Sequence, residues 1–371
     1  MTDSLIYLDR NESNYGPAPR CYDVVRAAGL ESMSWYSREF GNGSKSILTA
    51  RLASDFHIDE SSIILGYGAE DLLKQSVQCF LTEDDTILIP SYSWWYYKQL
   101  AAEVGCKQAE YQLVLGENGY EYDVDSLLEI YSTVKPAMVF ISSPNNPTGN
   151  AISPVELRDI LRHFSDSIVV LDEAYSAKST NSMMKDLLEE NPNLIIMRTF
   201  SKYYALAGMR IGYAVVGEKV REFTKFTNRY LGYNRLSEQI AIAALDSPEY
   251  YEEIARKMSD DKEMMYEEFS RLPGCTAYRS VANFILVKIP RSIYSPLNSY
   301  LRNQGFVVKF MNEELLNSHL RITLGTQQQN RTLMNAIIDF FRENSLEPGI
   351  SRSFQPAFHE FRKEITHETS L

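Results

Sequence analysis

Cysteine and histidine are scarce in this chain. Four cysteines (Cys21, Cys79, Cys106, Cys275) and five histidines (His57, His163, His319, His359, His367) are scattered over 371 residues. Neither set has metal-ligand spacing, so no metal site is expected. The cysteines read as free thiols of a reducing cytoplasm rather than a disulfide framework. No apolar run approaches the length of a membrane span. The opening Met1-Thr2-Asp3-Ser4 is acidic and leads into no long apolar stretch, so no signal peptide is expected. Positive charge is not in excess: 37 Lys and Arg stand against 49 Asp and Glu, a net charge of −12. That balance argues against nucleic acid or an anionic membrane as the main partner. Internal repeats and low-complexity segments are absent too. What remains is 44% hydrophobic and long enough for two domains with sizeable cores.

The most informative segment runs from Arg198 through Thr199, Ser201 and Lys202 to Arg210, after the apolar run Leu194 to Met197. A lysine at the end of a buried strand is costly to keep charged, so its pKa falls. A neutral amine attacks aldehydes to give a Schiff base. Thr199, Ser201 and Arg210 together can hold a dianionic phosphate beside it. An aldehyde and a phosphate on one small molecule describe pyridoxal 5'-phosphate. The plainer reading is a lysine that snorkels from a strand end.

Two further motifs lie upstream, each after an apolar run: Ser143-Pro144-Asn145-Asn146-Pro147-Thr148-Gly149 and Leu171-Asp172-Glu173-Ala174-Tyr175. Both fall where strands pass into loops, the usual place for ligands in an open α/β sheet. The Asp172 carboxylate can hold a pyridine nitrogen protonated and so make the ring an electron sink. Asn146 and Tyr175 can hydrogen-bond the ring's phenolic oxygen. Taken singly, the first motif is also an ordinary turn and Asp172 also a helix N-cap. Gly68-Ala69-Glu70 joins a strand to a helix. Small residues there admit a ligand to the backbone, and the helix N–H groups favour its phosphate.

The organisation is α/β. The first forty residues mix polar, Gly/Pro and aromatic residues without periodicity and read as an arm. Residues 41–236 alternate strand and helix patterns, which implies a large domain with a mainly parallel sheet covered on both faces. Ser153-Pro154-Val155-Glu156 is a capping-box start. Residues 237–344 open with long helical runs from Ser237 through Leu272, continue with short strands, and read as a smaller α/β domain. Residues 345–371 form a polar tail with no assigned function.

These motifs, with Leu8-Asp9-Arg10-Asn11-Glu12, Pro90-Ser91-Tyr92 and Leu320-Arg321-Ile322-Thr323-Leu324-Gly325, resemble the fold-type I pyridoxal-phosphate enzymes, close to the histidinol-phosphate aminotransferase group. The resemblance extends to about Asn344. It implies a large domain with a seven-stranded-type sheet and a small C-terminal domain. It implies that Tyr92 stacks on the pyridine ring, that Tyr15 reaches the substrate, and that Arg321 grips the substrate's acidic group through a bidentate fork. For Tyr15 the alternative is an aromatic packed on the large domain, and for Arg321 a structural salt bridge. Lys309 is expected to join Arg321 at the anionic end. The resemblance also implies a homodimer with shared active sites, in which Tyr36 of Trp35-Tyr36-Ser37-Arg38 reaches the partner's cofactor phosphate.

Two positions depart from the group. Tyr203 stands where a small residue is usual, a pattern similar to threonine-phosphate decarboxylases, and Lys309 stands where histidinol-phosphate enzymes tend to carry Arg. The leading expectation is a cytoplasmic aminotransferase, with Lys202, Asp172 and Tyr175 catalytic and glutamate a candidate donor. The alternative is a decarboxylase of a phosphorylated amino acid. A third reading, a ligand-sensing regulatory domain, lacks a basic helix-turn-helix segment before the arm.

Overall fold

The structure is a computed structural model and describes residues 5–36, 46–176 and 180–344. Ser37, Arg38 and the tail after Asn344 therefore lie outside the described residues.

Fourteen strands are named here in chain order: β1 Ile6–Leu8, β2 Ile63–Gly66, β3 Thr86–Pro90, β4 Lys107–Tyr111, β5 Leu113–Leu115, β6 Tyr120–Tyr122, β7 Met138–Ser142, β8 Ile168–Asp172, β9 Leu194–Thr199, β10 Gly212–Val216, β11 Thr276–Tyr278, β12 Phe284–Lys288, β13 Phe306–Phe310 and β14 His319–Thr323. Seven form one sheet in the order β2-β10-β9-β8-β7-β3-β4. Every pairing in it is parallel except those of β10 with β2 and β9. The central strands β7 and β8 are almost wholly buried, as a parallel strand covered on both faces must be, which is why they read as unbroken Val/Ile/Leu/Phe runs. Parallel neighbours end at a common edge, so β7, β8 and β9 deliver Ser142, Asp172 and Thr199 to one rim.

A second, five-stranded sheet has the order β1-β13-β14-β12-β11. Its core includes Leu8, Phe269, Ile285, Ile322, Leu333 and Ile337. The chain's start contributes an edge strand here: β1 pairs in parallel with β13. The expected arm thus carries regular structure, since helices Pro19–Ala27 and Leu30–Ser34 also form. A three-residue strand is too short for alternation to reveal it.

Most element boundaries follow local chemistry. Ser153 caps the helix Pro154–His163: Ser153 Oγ accepts from Glu156 N–H at 3.2 Å, and Glu156 Oε2 accepts from Ser153 N–H at 3.0 Å. The long helical run after Ser237 divides into Arg235–Leu245 and Pro248–Arg271. Pro248 has no N–H to continue the first helix and occupies the first turn of the second. The edge strand β4 carries no apolar run, and the strands of the hairpin β5–β6 are three residues each, too short for alternation to show, so all three escaped the periodicity reading.

Beneath the rim, Arg198 and Glu173 form a buried pair, only 2% and 1% exposed. Arg198 Nε donates to Glu173 Oε2 at 2.8 Å, and Nη2 donates to Thr180 Oγ1 at 2.8 Å. Burial of two charges is tolerable only when they are paired and hydrogen-bonded in this way. All four cysteines are free thiols, with Cys21 and Cys106 buried. Among the described residues no helix is long and apolar enough to cross a membrane.

Candidate active site

A cavity of about 810 Å³ opens at the rim, between the ends of β7, β8 and β9 and the face of β13 and β14. Lys202, three residues past β9, projects into it and is half-buried. Its Nζ donates to the backbone oxygen of Arg10 at 2.9 Å and lies 5.7 Å from the ring centroid of Tyr175. Burial, helped by the charges of Arg321 and Arg210 and opposed by Glu12, pulls the amine down to about 8. The amine therefore belongs to the cavity lining, held by the Arg10 backbone.

Asp172 closes β8 with only 5% exposure. Its Oδ1 accepts from Ala174 N–H at 2.9 Å, and its Oδ2 accepts from the Tyr97 hydroxyl at 2.5 Å. Burial raises its pKa, while these two donors favour the charged form. The helix-cap alternative does not hold, since residues 173–176 form a turn. The contact of Tyr97 with Asp172 spans 75 positions and has no local signal in the sequence.

At the opposite end, Gly68 starts the helix Ala69–Phe80 with φ +88°. A Cβ there would lie 2.8 Å from Arg210 Nη2, and one on Gly212 would lie 2.8 Å from Ala69 N. Bare backbone thus opens the helix N-terminus to the cavity. Thr199 Oγ1 donates to Ser201 Oγ at 2.9 Å. Arg210 Nη2 donates to the Tyr67 carbonyl at 3.1 Å and lies 3.6 Å from Glu70. Two hydroxyls, a guanidinium and free helix N–H groups make a cradle for a dianion. The donor set fits pyridoxal 5'-phosphate: this cradle for the phosphate, Lys202 for the aldehyde and Asp172 for the ring nitrogen.

On the second sheet, Arg321 and Lys309 line the same cavity. Arg321 Nη1 donates to Asn146 Oδ1 at 2.5 Å and Nη2 to the Asp9 carbonyl at 2.6 Å. Its Nε is buried without a partner, and among the described residues no carboxylate lies within ion-pair distance. Burial lowers its pKa. Among the described residues, then, nothing fills the place of a structural salt bridge. Tyr175 sits edge-on to Phe284, and its hydroxyl accepts from Asn11 Nδ2 at 2.9 Å. Burial raises the Tyr175 pKa.

Three of the expected residues are not part of this cavity's lining. Tyr92 packs on Tyr120, ring centroids 5.0 Å apart, and does not line the cavity; Trp94 and Trp95 do. The turn after β3 carries the aromatic wall two and three residues further on than the Pro-Ser-Tyr motif suggests. Tyr15 lies outside the cavity, its hydroxyl accepting from Gln327 N–H at 3.2 Å. Tyr36, expected at the partner's site, is 70% exposed and does not line this chain's own cavity.

The comparisons with known proteins agree with this geometry. The family model "Aminotransferase class I and II" matches residues 5–337. A histidinol-phosphate aminotransferase of Ruminiclostridium cellulolyticum is 32% identical over 333 residues, covering 90% of this chain and 91% of that protein. In fold, the chain is similar to the histidinol-phosphate aminotransferase of Sinorhizobium meliloti, solved in complex with pyridoxal 5'-phosphate (TM-score 0.81, 22% identity, 92% of each chain). It is also similar to the L-threonine-O-3-phosphate decarboxylase of Porphyromonas gingivalis (TM-score 0.74, 19% identity, 91% of this chain and 100% of that one). Since the match spans nearly every element that builds the cavity, from β1 to the helix Gln327–Glu343, the chain belongs to the class I and II aminotransferase family.

Proposed function

We propose that this protein is a pyridoxal-phosphate-dependent aminotransferase that moves an amino group from an amino acid, glutamate being the candidate, to a keto acceptor with a phosphorylated or aromatic side chain. The observation that carries the reading is Lys202: an amine held near 8 at a strand end, between a buried carboxylate and an anion cradle. When bound, the cofactor supplies an aldehyde and an electron sink for the pair released at the substrate Cα. Lys202 would hold it through its amine and would take and return the Cα proton as general base and acid. Asp172 holds the ring nitrogen's proton. Thr199, Ser201, Arg210 and the N–H groups after Gly68 hold the phosphate. Arg321 binds the substrate carboxylate, and Lys309 beside it suits a second anionic group. Donor and acceptor use the one site in turn, so the kinetics are ping-pong.

The named relatives support an acceptor of the histidinol-phosphate type. Decarboxylation of a phosphorylated amino acid would use the same cofactor contacts and the same cation pair. Mixing the holoenzyme with glutamate alone separates the two. Stoichiometric conversion of the cofactor to its amine form with release of the keto acid supports transamination; carbon dioxide release from a phosphorylated amino acid without that conversion overturns it.

We further propose a homodimer with shared sites. Leu30, Met33, Trp35 and Tyr36 are all exposed around the helix Leu30–Ser34, an apolar strip that a partner would cover. Four free thiols suit a reducing compartment, and we place the enzyme in the cytoplasm. Sedimentation at assay concentration tests the dimer, and a fully active monomer would overturn it.

A further inference from the structure

Residues 9–11 touch three site side chains in succession: the Asp9 carbonyl accepts from Arg321, the Arg10 carbonyl accepts from Lys202, and Asn11 Nδ2 donates to Tyr175. The pairing of β1 with β13 carries this segment to the cavity. Asn11 is 1% exposed and adopts φ +57°, a left-handed conformation that Asn tolerates better than most residues.

The bonds around Asn11 place its amide oxygen on Thr323 and its amide nitrogen on Tyr175. Thr323 Oγ1 accepts from Asn11 N–H at 2.9 Å. Its single proton is then free to reach Asn11 Oδ1, 3.0 Å away. With the carboxamide oxygen on Thr323, the NH₂ group faces the Tyr175 hydroxyl at 2.9 Å. Asn283 Nδ2 donates to the Asn11 carbonyl at 3.0 Å and completes the anchor. An amide NH₂ cannot accept a hydrogen bond. Tyr175 must therefore spend a lone pair on Asn11 and point its own proton elsewhere. The space beside its ring is the cavity that holds Lys202 Nζ.

We infer that Asn11 is a positioning residue that aims the Tyr175 hydroxyl proton into the cofactor pocket, through an amide whose orientation Thr323 sets. The inference rests on the reading that Tyr175 meets the cofactor's ring oxygen. A donor at that oxygen withdraws negative charge from the neighbourhood of the Lys202 nitrogen. Without it the nitrogen keeps its proton to higher pH.

The test is the pH midpoint of the bound cofactor's absorbance in the holoenzyme, measured for the wild type, Asn11→Asp, Asn11→Gly, Tyr175→Phe and the double variant Asn11→Asp/Tyr175→Phe. Asn11→Asp keeps the shape but replaces the donor with an acceptor that pulls the Tyr175 proton out of the pocket. Asn11→Gly keeps the left-handed backbone and removes the amide, and serves should the aspartate variant not fold. Tyr175→Phe and Asn11→Asp are each expected to raise the midpoint by about one pH unit, a tenfold change in proton affinity. The double variant is expected to match Tyr175→Phe alone, since Asn11 acts through the hydroxyl. A midpoint unmoved in both Asn11 variants, or a shift that adds to that of Tyr175→Phe, overturns the inference while leaving the role of Tyr175 intact. A midpoint unmoved by Tyr175→Phe overturns both.

Discussion

Lys309 and Arg321 stand directly opposite each other on the antiparallel strands β13 and β14, and both line the cavity. Like charges at paired positions repel, and among the described residues no carboxylate forms an ion pair with either. A buried guanidinium with an orphaned Nε beside a second cation is an arrangement completed by an anion.

Removing that anion site should show in binding. Arg321→Ala is expected to lower kcat/KM for the amino donor by on the order of 100-fold, mostly through KM, the scale of a lost charge-assisted fork. Lys309→Ala should cost less, about tenfold, and chiefly for substrates with a second anionic group. Steady-state kinetics with phosphorylated and unphosphorylated substrates check both. Unchanged kinetics in both variants would show that the pair is structural.

Lys202 should titrate far below an ordinary lysine. With the amine at about 8, about a tenth is neutral at pH 7. Only the neutral amine attacks an aldehyde, so cofactor capture by the cofactor-free protein should rise with pH up to about 8 and level off above. Stopped-flow absorbance measures it. Lys202→Ala should leave no cofactor fixed to protein by borohydride in the mass spectrum.

Asp172→Asn should retain the fold and lose the chemistry. The amide keeps the size but cannot hold the ring nitrogen's proton with a counter-charge. A loss of about 3 kcal/mol in the chemical step, roughly 100-fold in kcat, is the scale of one preorganised electrostatic partner. Single-turnover kinetics with a fixed donor check it, and near-normal turnover would contradict the assignment.

Gly68→Ala should weaken cofactor retention. A Cβ at φ +88° is strained and would press on Arg210 Nη2 at 2.8 Å, a cost of about 1–3 kcal/mol. Equilibrium dialysis against free cofactor should show faster loss, with the fold retained by circular dichroism.

His319 should set an acid limit to stability. It is buried in β14 and stacked on Tyr278, and burial, opposed by the Leu316 backbone, pulls it down to about 4. The unfolded chain binds that proton near 6.5, so between about 4 and 6.5 the unfolded state holds more protons and stability rises with pH. Stability is therefore lost as pH falls through this window, by up to about 3 kcal/mol. Thermal unfolding followed from pH 7 to 4 should show a flatter acid limb in His319→Phe.

The parts of the site that are local in sequence were legible in sequence. Asp172, Thr199, Ser201 and Lys202 lie at or just after the ends of apolar runs, and parallel strands bring such ends to one rim whatever the details of packing. Gly68 and Ala69 announce a strand-to-helix turn open to an anion, and Ser153 a capped helix, because both signals act within a few residues. What the sequence could not decide was which distant groups meet. Asn11 reaches Tyr175, Thr323 and Asn283 only because β1 joins the second sheet. Tyr97 reaches Asp172 only because its helix packs behind β7 and β8. That Trp94 and Trp95 line the cavity while Tyr92 packs on Tyr120 depends on the course of one loop, which a run of adjacent aromatics does not reveal. Strand and helix periods record which face of an element is apolar. The pairing of Lys309 with Arg321, or of Lys202 with the Arg10 carbonyl, depends on register and sheet packing, and those exist only once the chain has closed on itself.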